Sequence, residues 1–256
     1  MLTKNAEKFI RGLSLRKNRK KSGKFVAEGM KLVRDFVSAG ISVDIVYYVD
    51  ELDEDFLDVL CEKISEAEMK RITFLETPSP VLAVFEQPTF GVEDFKEANF
   101  ILLLDRVQDP GNMGTLLRTA LWYGVDCVAT TVGTVDPFSP KVVQSSMSAH
   151  AHSTIVQLEE EAWAEWAREN GFSWVVADMN GEDSRTFNWP EKTILVLGNE
   201  GQGPSEFLKE QGPAITLVGN ASKMESLNVA VSGATLLYAH ACSIGAQNEG
   251  SIERLL

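Results

Sequence analysis

The chain has 256 residues, enough for one large or two ordinary domains, and its 44% hydrophobic and 24% charged residues are typical of a water-soluble globular protein. No apolar run reaches the roughly 18–20 residues of a membrane span, and the N-terminus MLTKNAEKFIRG lacks a signal-peptide core, so we expect a cytoplasmic protein with no membrane partner. The cysteines Cys61, Cys127 and Cys242 are far apart and lack C-x-x-C spacing, which argues against a disulfide framework or a metal site.

The net charge of −13 argues at first against a nucleic-acid partner, but the charge is unevenly distributed. Residues 1–34 contain 11 Lys or Arg and 2 Asp or Glu, whereas the rest contains 13 and 35. A basic arm on an acidic body can attract a polyanion locally, although a solvated tail would have the same charge. Apolar residues interrupt the basic run SLRKNRKKSGKFVAEG, which favours a folded segment over a loose tail.

The first 90 residues alternate between helical and strand-like patterns, which predicts a small α/β unit. The predicted elements are a helix near 3–11, a strand at 24–29, a helix at 29–40, a strand at 44–49, an acidic helix at 53–63 and a strand at 71–76. Pro88, Gly91 and clustered acids then indicate a domain boundary, so we predict domains at 1–92 and 99–256.

From residue 99 onward, short apolar runs alternate with helical segments. The predicted strands are ILLLD, CVATTV, STIVQL, WVVADM, TILVLG and ITLVG, and the clearest helix is EEEAWAEWAREN. Runs that are apolar on both faces are typical of a parallel sheet covered by helices on each side. The predicted fold class is therefore α/β.

Three strand ends in this second domain are rich in glycine and polar residues, and ligands of parallel sheets bind at such ends. The first, DRVQDPGNMGTLLRTA, aligns Gly111, Gly114 and Arg118 on one helix face, so a backbone or ligand could approach there. A tight strand–helix junction with a solvated arginine would have the same pattern. Neither G-x-G-x-x-G nor G-x-x-x-x-G-K-[ST] is present, which argues against a nicotinamide or P-loop site.

The other two strand ends are LVLGNEGQGPSEF and GNASKMESLNVAVSGATLLYAH. In LVLGNEGQGPSEF, three glycines around Glu200 suggest backbone packed against a ligand or another chain. In GNASKMESLNVAVSGATLLYAH, we expect Ser226 to cap a helix rich in small residues, with Asn228 in its first turn.

Together and in this order, the three segments resemble the motifs of the SpoU/TrmH branch of the SPOUT RNA 2′-O-ribose methyltransferases. The matching stretches are 109–114 with Arg118-Thr119-Ala120, then 197–203, then 226–229. The basic segment with FVAEG also resembles the family's ribosomal-protein-like substrate-binding domain. The likeness spans nearly the whole chain.

The resemblance implies a smaller α/β RNA-binding domain followed by a SPOUT α/β domain with a deep trefoil knot, a homodimer formed through the knotted domain, and no metal. It also implies S-adenosylmethionine as cofactor. The residues expected to bind the cofactor are Gly198, Val218, Leu227, Thr131 and Gly201.

The reaction implied is methyl transfer to a ribose 2′-hydroxyl in RNA. The residues expected to be catalytic are Arg118, Asn112, Glu200, Ser226 and Asn228. Because a free guanidinium stays protonated below about pH 12, electrostatic support of the developing alkoxide is an easier role for Arg118 than that of a base. Asn112 would orient Arg118 or the ribose, and Glu200 would fix the arginine or accept the proton.

Ribosomal RNA is the expected substrate in preference to transfer RNA, because transfer-RNA members of the family often lack the N-terminal domain. The residues expected to bind RNA are Arg16, Lys17, Arg19, Lys20, Lys21 and Lys24. Two departures bear on the cofactor pocket: Val218-Gly219-Asn220 stands where the family usually has Ile-Pro-Met, and Ser148 where glycine is common. A SPOUT base methyltransferase and a non-catalytic RNA-binding protein with a degenerate cofactor site stay open as alternatives.

Overall fold

The structure, a computed structural model, describes residues 1–52, 56, 58–125, 127–220, 222 and 226–247. The helices are α1 Lys4–Gly12, α2 Arg16–Ser22, α3 Met30–Ser38, α4 Glu66–Ile72, α5 Pro110–Trp122, α6 Pro140–Ser146, α7 Glu160–Asn170, α8 Glu206–Lys209 and α9 Val229–Gln247. The strands are β1 Lys24–Glu28, β2 Val43–Tyr48, β3 Cys61–Lys63, β4 Val81–Glu86, β5 Phe100–Leu104, β6 Cys127–Thr131, β7 Thr154–Leu158, β8 Ser173–Asp183, β9 Thr193–Leu197 and β10 Ala214–Thr216. Short 3₁₀ helices cover Val92–Phe95 and Met147–His152.

The described residues form two compact units. The N-terminal unit comprises those of Met1–Thr89 and Asp136–His152, and the C-terminal unit those of Phe90–Val135 and from Ser153 onward. The segment 136–152 therefore packs with the N-terminal unit, although it lies within the predicted second domain. The functional boundaries at 1–92 and 99–256 stay a prediction.

The N-terminal unit is built on a mixed sheet of four described strands in the order β1-β4-β2-β3. The strand β4 pairs antiparallel with both β1 and β2. Five of its six residues are buried, and the sequence reading overlooked it. The predicted helix near 3–11 and the predicted strands at 24–29 and 44–49 are confirmed as α1, β1 and β2.

The predicted strand at 71–76 is wrong, because α4 continues to Ile72. The helix begins with a capping box in which Ser65 Oγ accepts from the Glu68 amide and the Glu68 carboxylate accepts from the Ser65 amide. Met69 and Ile72, three residues apart, are buried together. The capping sequence and this helical spacing outweighed the local β propensity.

The predicted acidic helix at 53–63 is contradicted at its end, where Cys61–Lys63 forms β3 in parallel with β2. Residues 53–55 and 57 of that prediction lie outside the described residues. Hydrogen bonding to the neighbouring strand decides the conformation of this short end, which helical periodicity does not report.

The C-terminal unit has a parallel sheet in the order β10-β8-β9-β5-β6-β7, which confirms the α/β class and the six predicted strands. The central strands β5, β6 and β9 are buried along their whole length, as continuous apolar runs predict. Trp163 and Trp166 of α7 pack into the hydrophobic core of this unit. Gly233 of α9 lies against Leu116 and Leu197, where a Cβ atom would come within 2.6 Å of both side chains. The trefoil knot stays a prediction.

Candidate active site

The first two glycine-rich motifs lie side by side in the C-terminal unit, because β5 and β9 are adjacent parallel strands that end in register. Leu104 is paired with Leu197, and the Asp105 amide donates to the Leu197 carbonyl at 2.8 Å. The loops that follow both strands therefore start from the same edge of the sheet. This edge is where an open parallel sheet binds its ligands.

The helix α5 begins at this edge with Asp109 as its N-cap and Pro110 in its first turn. The Asp109 carboxylate accepts from the Asn112 amide at 2.8 Å. The cap places Asn112 in the first helical turn, with its side chain available to the neighbouring loop. The D-P-x-N sequence of the first motif therefore starts the helix and fixes the position of the Asn112 side chain.

Glu200 lies opposite this helix start and accepts three hydrogen bonds from it. The donors are the Gln108 amide at 3.2 Å, the Asp109 amide at 3.1 Å and the Asn112 Nδ2 at 3.0 Å. Burial alone would raise the pKa of Glu200, but the bonds from the Asn112 side chain and the backbone amides outweigh it, and the pKa is lowered. Glu200 is therefore an ionised carboxylate at neutral pH, held by hydrogen bonds from the first motif.

Asn228 joins the third motif to this pair. Its Nδ2 donates to Asn112 Oδ1 at 2.9 Å, and its Oδ1 accepts from the amides of Ala230 and Val231. The helix α9 starts at Val229, so Asn228 is its N-cap, and the prediction that Ser226 caps the helix is wrong. Ser226 is two residues too early to reach the first free amides of α9.

The three motifs are thus connected by one hydrogen-bonded chain, Glu200–Asn112–Asn228. Every polar side-chain atom of Asn112 is used in it, which fixes the orientation of this amide. Arg118 and Ser226 lie outside this hydrogen-bonded chain: both are exposed, and neither side chain has a hydrogen-bond or ion-pair partner among the described residues. Arg118 follows Asn112 by six residues on α5, about 9 Å along the helix axis.

The residues predicted to bind the cofactor have different environments. Val218 and Leu227 are more than half exposed and present apolar side chains around the third motif. A Cβ atom on Gly198 would lie 1.9 Å from the Pro204 nitrogen, so glycine is required there by the loop's own backbone. Thr131 is buried, and its hydroxyl donates to Asp105 at 2.7 Å. Gly201 lies in the loop beside Asn199, whose Oδ1 accepts from its amide.

Three residues at the same edge were missed by sequence reasoning: Asp105, Arg106 and Asn199. Asp105 is almost fully buried and accepts from Arg106, Thr131 and the Ser205 amide. Asn199 donates to the Arg106 carbonyl and accepts from the Gly201 and Gln202 amides. A charged residue directly after a wholly apolar strand, as in ILLLD, was the available signal.

In the N-terminal unit, the predicted RNA-binding residues also differ in environment. Four of them are exposed on α2: Arg16, Lys17, Lys20 and Lys21. Lys24 is half-buried and forms an ion pair with Asp44 at 2.6 Å.

Arg19 is buried, which removes it from the predicted RNA-binding set. Its guanidinium donates to Asp136 at 2.6 and 2.9 Å and to the carbonyls of Leu13 and Ser14. The side chain therefore serves the scaffold: it ties α2 to the segment 136–152 within the same unit.

The described residues contain neither a cluster of metal ligands nor a membrane-spanning helix. No group of three or more His, Cys, Asp or Glu side chains there is arranged to hold a metal ion. In the same part of the chain, no helix is long and apolar enough to cross a membrane.

Comparison with known proteins identifies the family. Residues 99–238, more than half of the chain, match the SpoU rRNA methylase family, and residues 5–83 match the MRM3-like substrate-binding domain. The chain belongs to the SpoU rRNA methylase family. The hydrogen-bonded chain of Glu200, Asn112 and Asn228 thus lies within the SpoU methylase region.

The similarity extends over whole relatives of this family. The Bacillus subtilis 23S rRNA (guanosine(2553)-2′-O)-methyltransferase RlmP is 33% identical over 230 residues, which cover 88% of this chain and 92% of the relative. A putative RNA methyltransferase of the TrmH family from Porphyromonas gingivalis is 34% identical, with a TM-score of 0.83 over 93% of this chain and 98% of its own. The AdoMet-bound rRNA methyltransferase from Sinorhizobium meliloti is 28% identical, with a TM-score of 0.86 over 95% and 97%.

Proposed function

We propose that the protein transfers a methyl group from S-adenosylmethionine to a ribose 2′-hydroxyl in ribosomal RNA. The observation that carries this proposal is the Glu200–Asn112–Asn228 chain, which joins the three family motifs at one sheet edge. Whole-length similarity to an rRNA 2′-O-methyltransferase supports the same reaction. A ribosomal RNA substrate also favours a cytoplasmic location for the protein.

The cofactor supplies an electrophilic methyl group and a good leaving group when it is bound. The described residues fit an adenosyl ligand: Val218 and Leu227 are exposed apolar side chains that a flat ring would cover. A Cβ atom on Gly219 would meet no atom of the described residues within 4 Å, so the backbone there has open space beside it for a ligand. The departure from Ile-Pro-Met at 218–220 therefore leaves an apolar side chain and an open backbone in place.

The chain's own residues must bind the ribose and favour loss of the 2′-hydroxyl proton. Glu200 is a poor proton acceptor for this step, because its lowered pKa weakens it as a base and three donors already occupy it. Its role is to hold Asn112. Arg118 has an exposed guanidinium with no partner among the described residues, which suits it to pair with an RNA phosphate and stabilise developing negative charge on the 2′-oxygen.

We assign RNA binding to the exposed cations of α2. This helix lies in the region of the chain that matches the substrate-binding domain. Arg16, Lys17, Lys20 and Lys21 can neutralise phosphates, whereas sequence selectivity needs contacts to unpaired bases. We also propose a homodimer formed through the C-terminal unit. The apolar side chains of Trp122, Val231 and Tyr238 are more than half exposed there, which supports an interface.

The experiment is methyl transfer from labelled S-adenosylmethionine to total RNA from cells that lack the gene, followed by nucleoside analysis. A 2′-O-methylated nucleoside in ribosomal RNA is expected, and 2′-O-methylguanosine would extend the similarity to RlmP. A base-methylated product would contradict the ribose as acceptor. Absence of transfer, with RNA binding intact, would contradict catalysis and favour a binding-only protein.

A further inference from the structure

Arg106, between β5 and the first motif, has an unusual backbone conformation. Its φ is +53°, in the left-handed region that side-chain-bearing residues rarely adopt. The amide of Arg106 donates to Thr131 Oγ1 at 3.1 Å, and its carbonyl accepts from Asn199 Nδ2 at 2.9 Å. The strained backbone thus connects the end of β6 to the loop that carries Glu200.

The side chain of Arg106 reaches the same loop by a second route. Its Nε and Nη2 donate to the buried carboxylate of Asp105, with Nη2 3.0 Å from Oδ2, and Nη2 also lies 3.4 Å from the Gly203 carbonyl. Asp105 is anchored in turn, because it accepts from Thr131 Oγ1 at 2.7 Å and from the Ser205 amide at 2.8 Å. The guanidinium therefore connects a fixed, buried charge to the far end of the loop.

The loop between these two attachment points is closed on itself. The Asn199 amide donates to the Gly203 carbonyl at 3.1 Å, and the Gly203 amide returns a bond to the Asn199 carbonyl at 2.9 Å. The Asn199 side chain caps the turn by accepting from the Gly201 and Gln202 amides. Glu200 lies within this turn, so its carboxylate is positioned by whatever holds residues 199 and 203.

We propose that Arg106 is a positioning residue for methyl transfer. It holds the Asn199–Gly203 turn at both ends, and thereby places the Glu200 carboxylate against Gln108, Asp109 and Asn112. Its effect on the rate rests on the proposed function and passes through Glu200 and Asn112, since Arg106 itself is bonded to Asp105 and the loop.

Two substitutions separate positioning from stability. Arg106→Ala removes the side chain and keeps the strained φ, whereas Arg106→Gly removes the side chain and relieves the strain, because glycine adopts positive φ readily. In both variants kcat is expected to fall by a similar factor, roughly ten- to a hundredfold. Arg106→Gly is expected to unfold at a higher temperature than Arg106→Ala. A rate that followed stability, with Arg106→Gly near wild type and Arg106→Ala slow, would overturn the proposal.

A second measurement does not depend on activity. Amide hydrogen exchange at Gly201, Gln202 and Gly203 should become faster in both variants, while the amides of β5 and β9 keep their protection. The matched control is Arg185→Ala, which removes another fork to a neighbouring carboxylate, Asp183, on the exposed surface of the same unit. It should change neither the rate nor exchange in the turn.

The two proposals fail in distinguishable ways. If the wild-type protein methylates no RNA, the proposed function fails, and faster exchange confined to the turn in the Arg106 variants would still support positioning. If wild-type transfer is observed, an unchanged rate or unchanged exchange at 201–203 in both variants would overturn the role of Arg106.

Discussion

Single side chains at the candidate active site divide their work according to the contacts they already make. Glu200 and Asn112 are held by each other and by backbone amides, so they form a rigid polar support. Arg118 is exposed with no partner among the described residues, and is therefore free to meet a substrate. The expected contact between Glu200 or Asn112 and Arg118 is absent in this part of the structure.

Arg118→Ala should abolish most methyl transfer and leave cofactor binding intact. A lost charge opposite the developing alkoxide is expected to lower kcat by about a hundred- to a thousandfold. Single-turnover rates and calorimetry with S-adenosylmethionine measure the two effects. Arg168→Ala, which removes an exposed arginine from α7, is the control; turnover of Arg118→Ala near that of the control would exclude Arg118 from the mechanism.

Arg19 and Lys20 are neighbours on α2 with opposite expected roles. Arg19→Ala leaves Asp136 without its buried partner, and breaking such a pair typically costs roughly 3–5 kcal/mol. Lys20→Ala should leave stability unchanged, weaken RNA binding and reduce its salt dependence, because one exposed phosphate contact is lost. Thermal unfolding and RNA titrations at several salt concentrations test both; the reverse pattern would return Arg19 to the RNA-binding set.

Among the structural elements, the segment 136–152 packs with the N-terminal unit through contacts of several kinds. Asp136 pairs with Arg19, and Phe138 and His150 pack edge-to-face beside Phe25. Ser148 donates to Asp35 of α3. The serine that departs from the family's usual glycine thus has a partner within its own unit.

His150 gives this segment a predicted dependence on pH. Burial lowers its pKa to about 4 from an ordinary 6.5, against the opposing effect of Asp136, and neither ring nitrogen has a hydrogen-bond partner among the described residues. Between pH 6.5 and about 4 the unfolded chain takes up a proton that the folded protein excludes. The free energy of unfolding should therefore fall as the pH falls, by up to about 3 kcal/mol.

His150→Phe should remove this part of the acid sensitivity, because the phenyl ring has no charge to desolvate. Denaturant unfolding measured from pH 7 to pH 4 gives the slope for each protein. His152→Phe on the same segment is the control and should keep the wild-type slope. An unchanged slope in His150→Phe would contradict the burial argument.

At the scale of the whole molecule, the small-residue helix α9 uses two faces differently. Gly233 packs inward on Leu116 and Leu197, so the small residue serves the unit's own core. Val231 and Tyr238, seven residues apart, are exposed, and Tyr238 lies near Tyr123 at the end of α5. This second face is the one available for the proposed homodimer.

Val231→Glu and Tyr238→Glu should convert a dimer into monomers, because an unpaired carboxylate in an apolar interface is costly. Sedimentation velocity at micromolar concentrations measures the change. Leu60→Glu, at another exposed apolar position, should leave the dimer intact. A monomeric wild-type protein, or dimers that tolerate both substitutions, would contradict this interface.

The sequence alone determined the parallel sheet and the positions of the three motifs. The strands β5, β6 and β9 are buried on both faces, so each is a continuous apolar run. Such a run can be recognised in the sequence without knowledge of the neighbouring strands. The caps at Asp109 and in the helix α4 were also encoded in neighbouring residues, although both were overlooked.

The tertiary structure alone decided which side chains meet. Asn112 and Asn228 are 116 residues apart, and Arg19 and Asp136 are 117 apart, so no local pattern reports their contacts. The burial of Arg19 inside a run of exposed cations, the capping role of Asn228 and the placement of Arg106 against the Glu200 loop depend on strand order and packing. Periodicity specifies which face a residue occupies, and only the folded chain specifies what lies opposite that face.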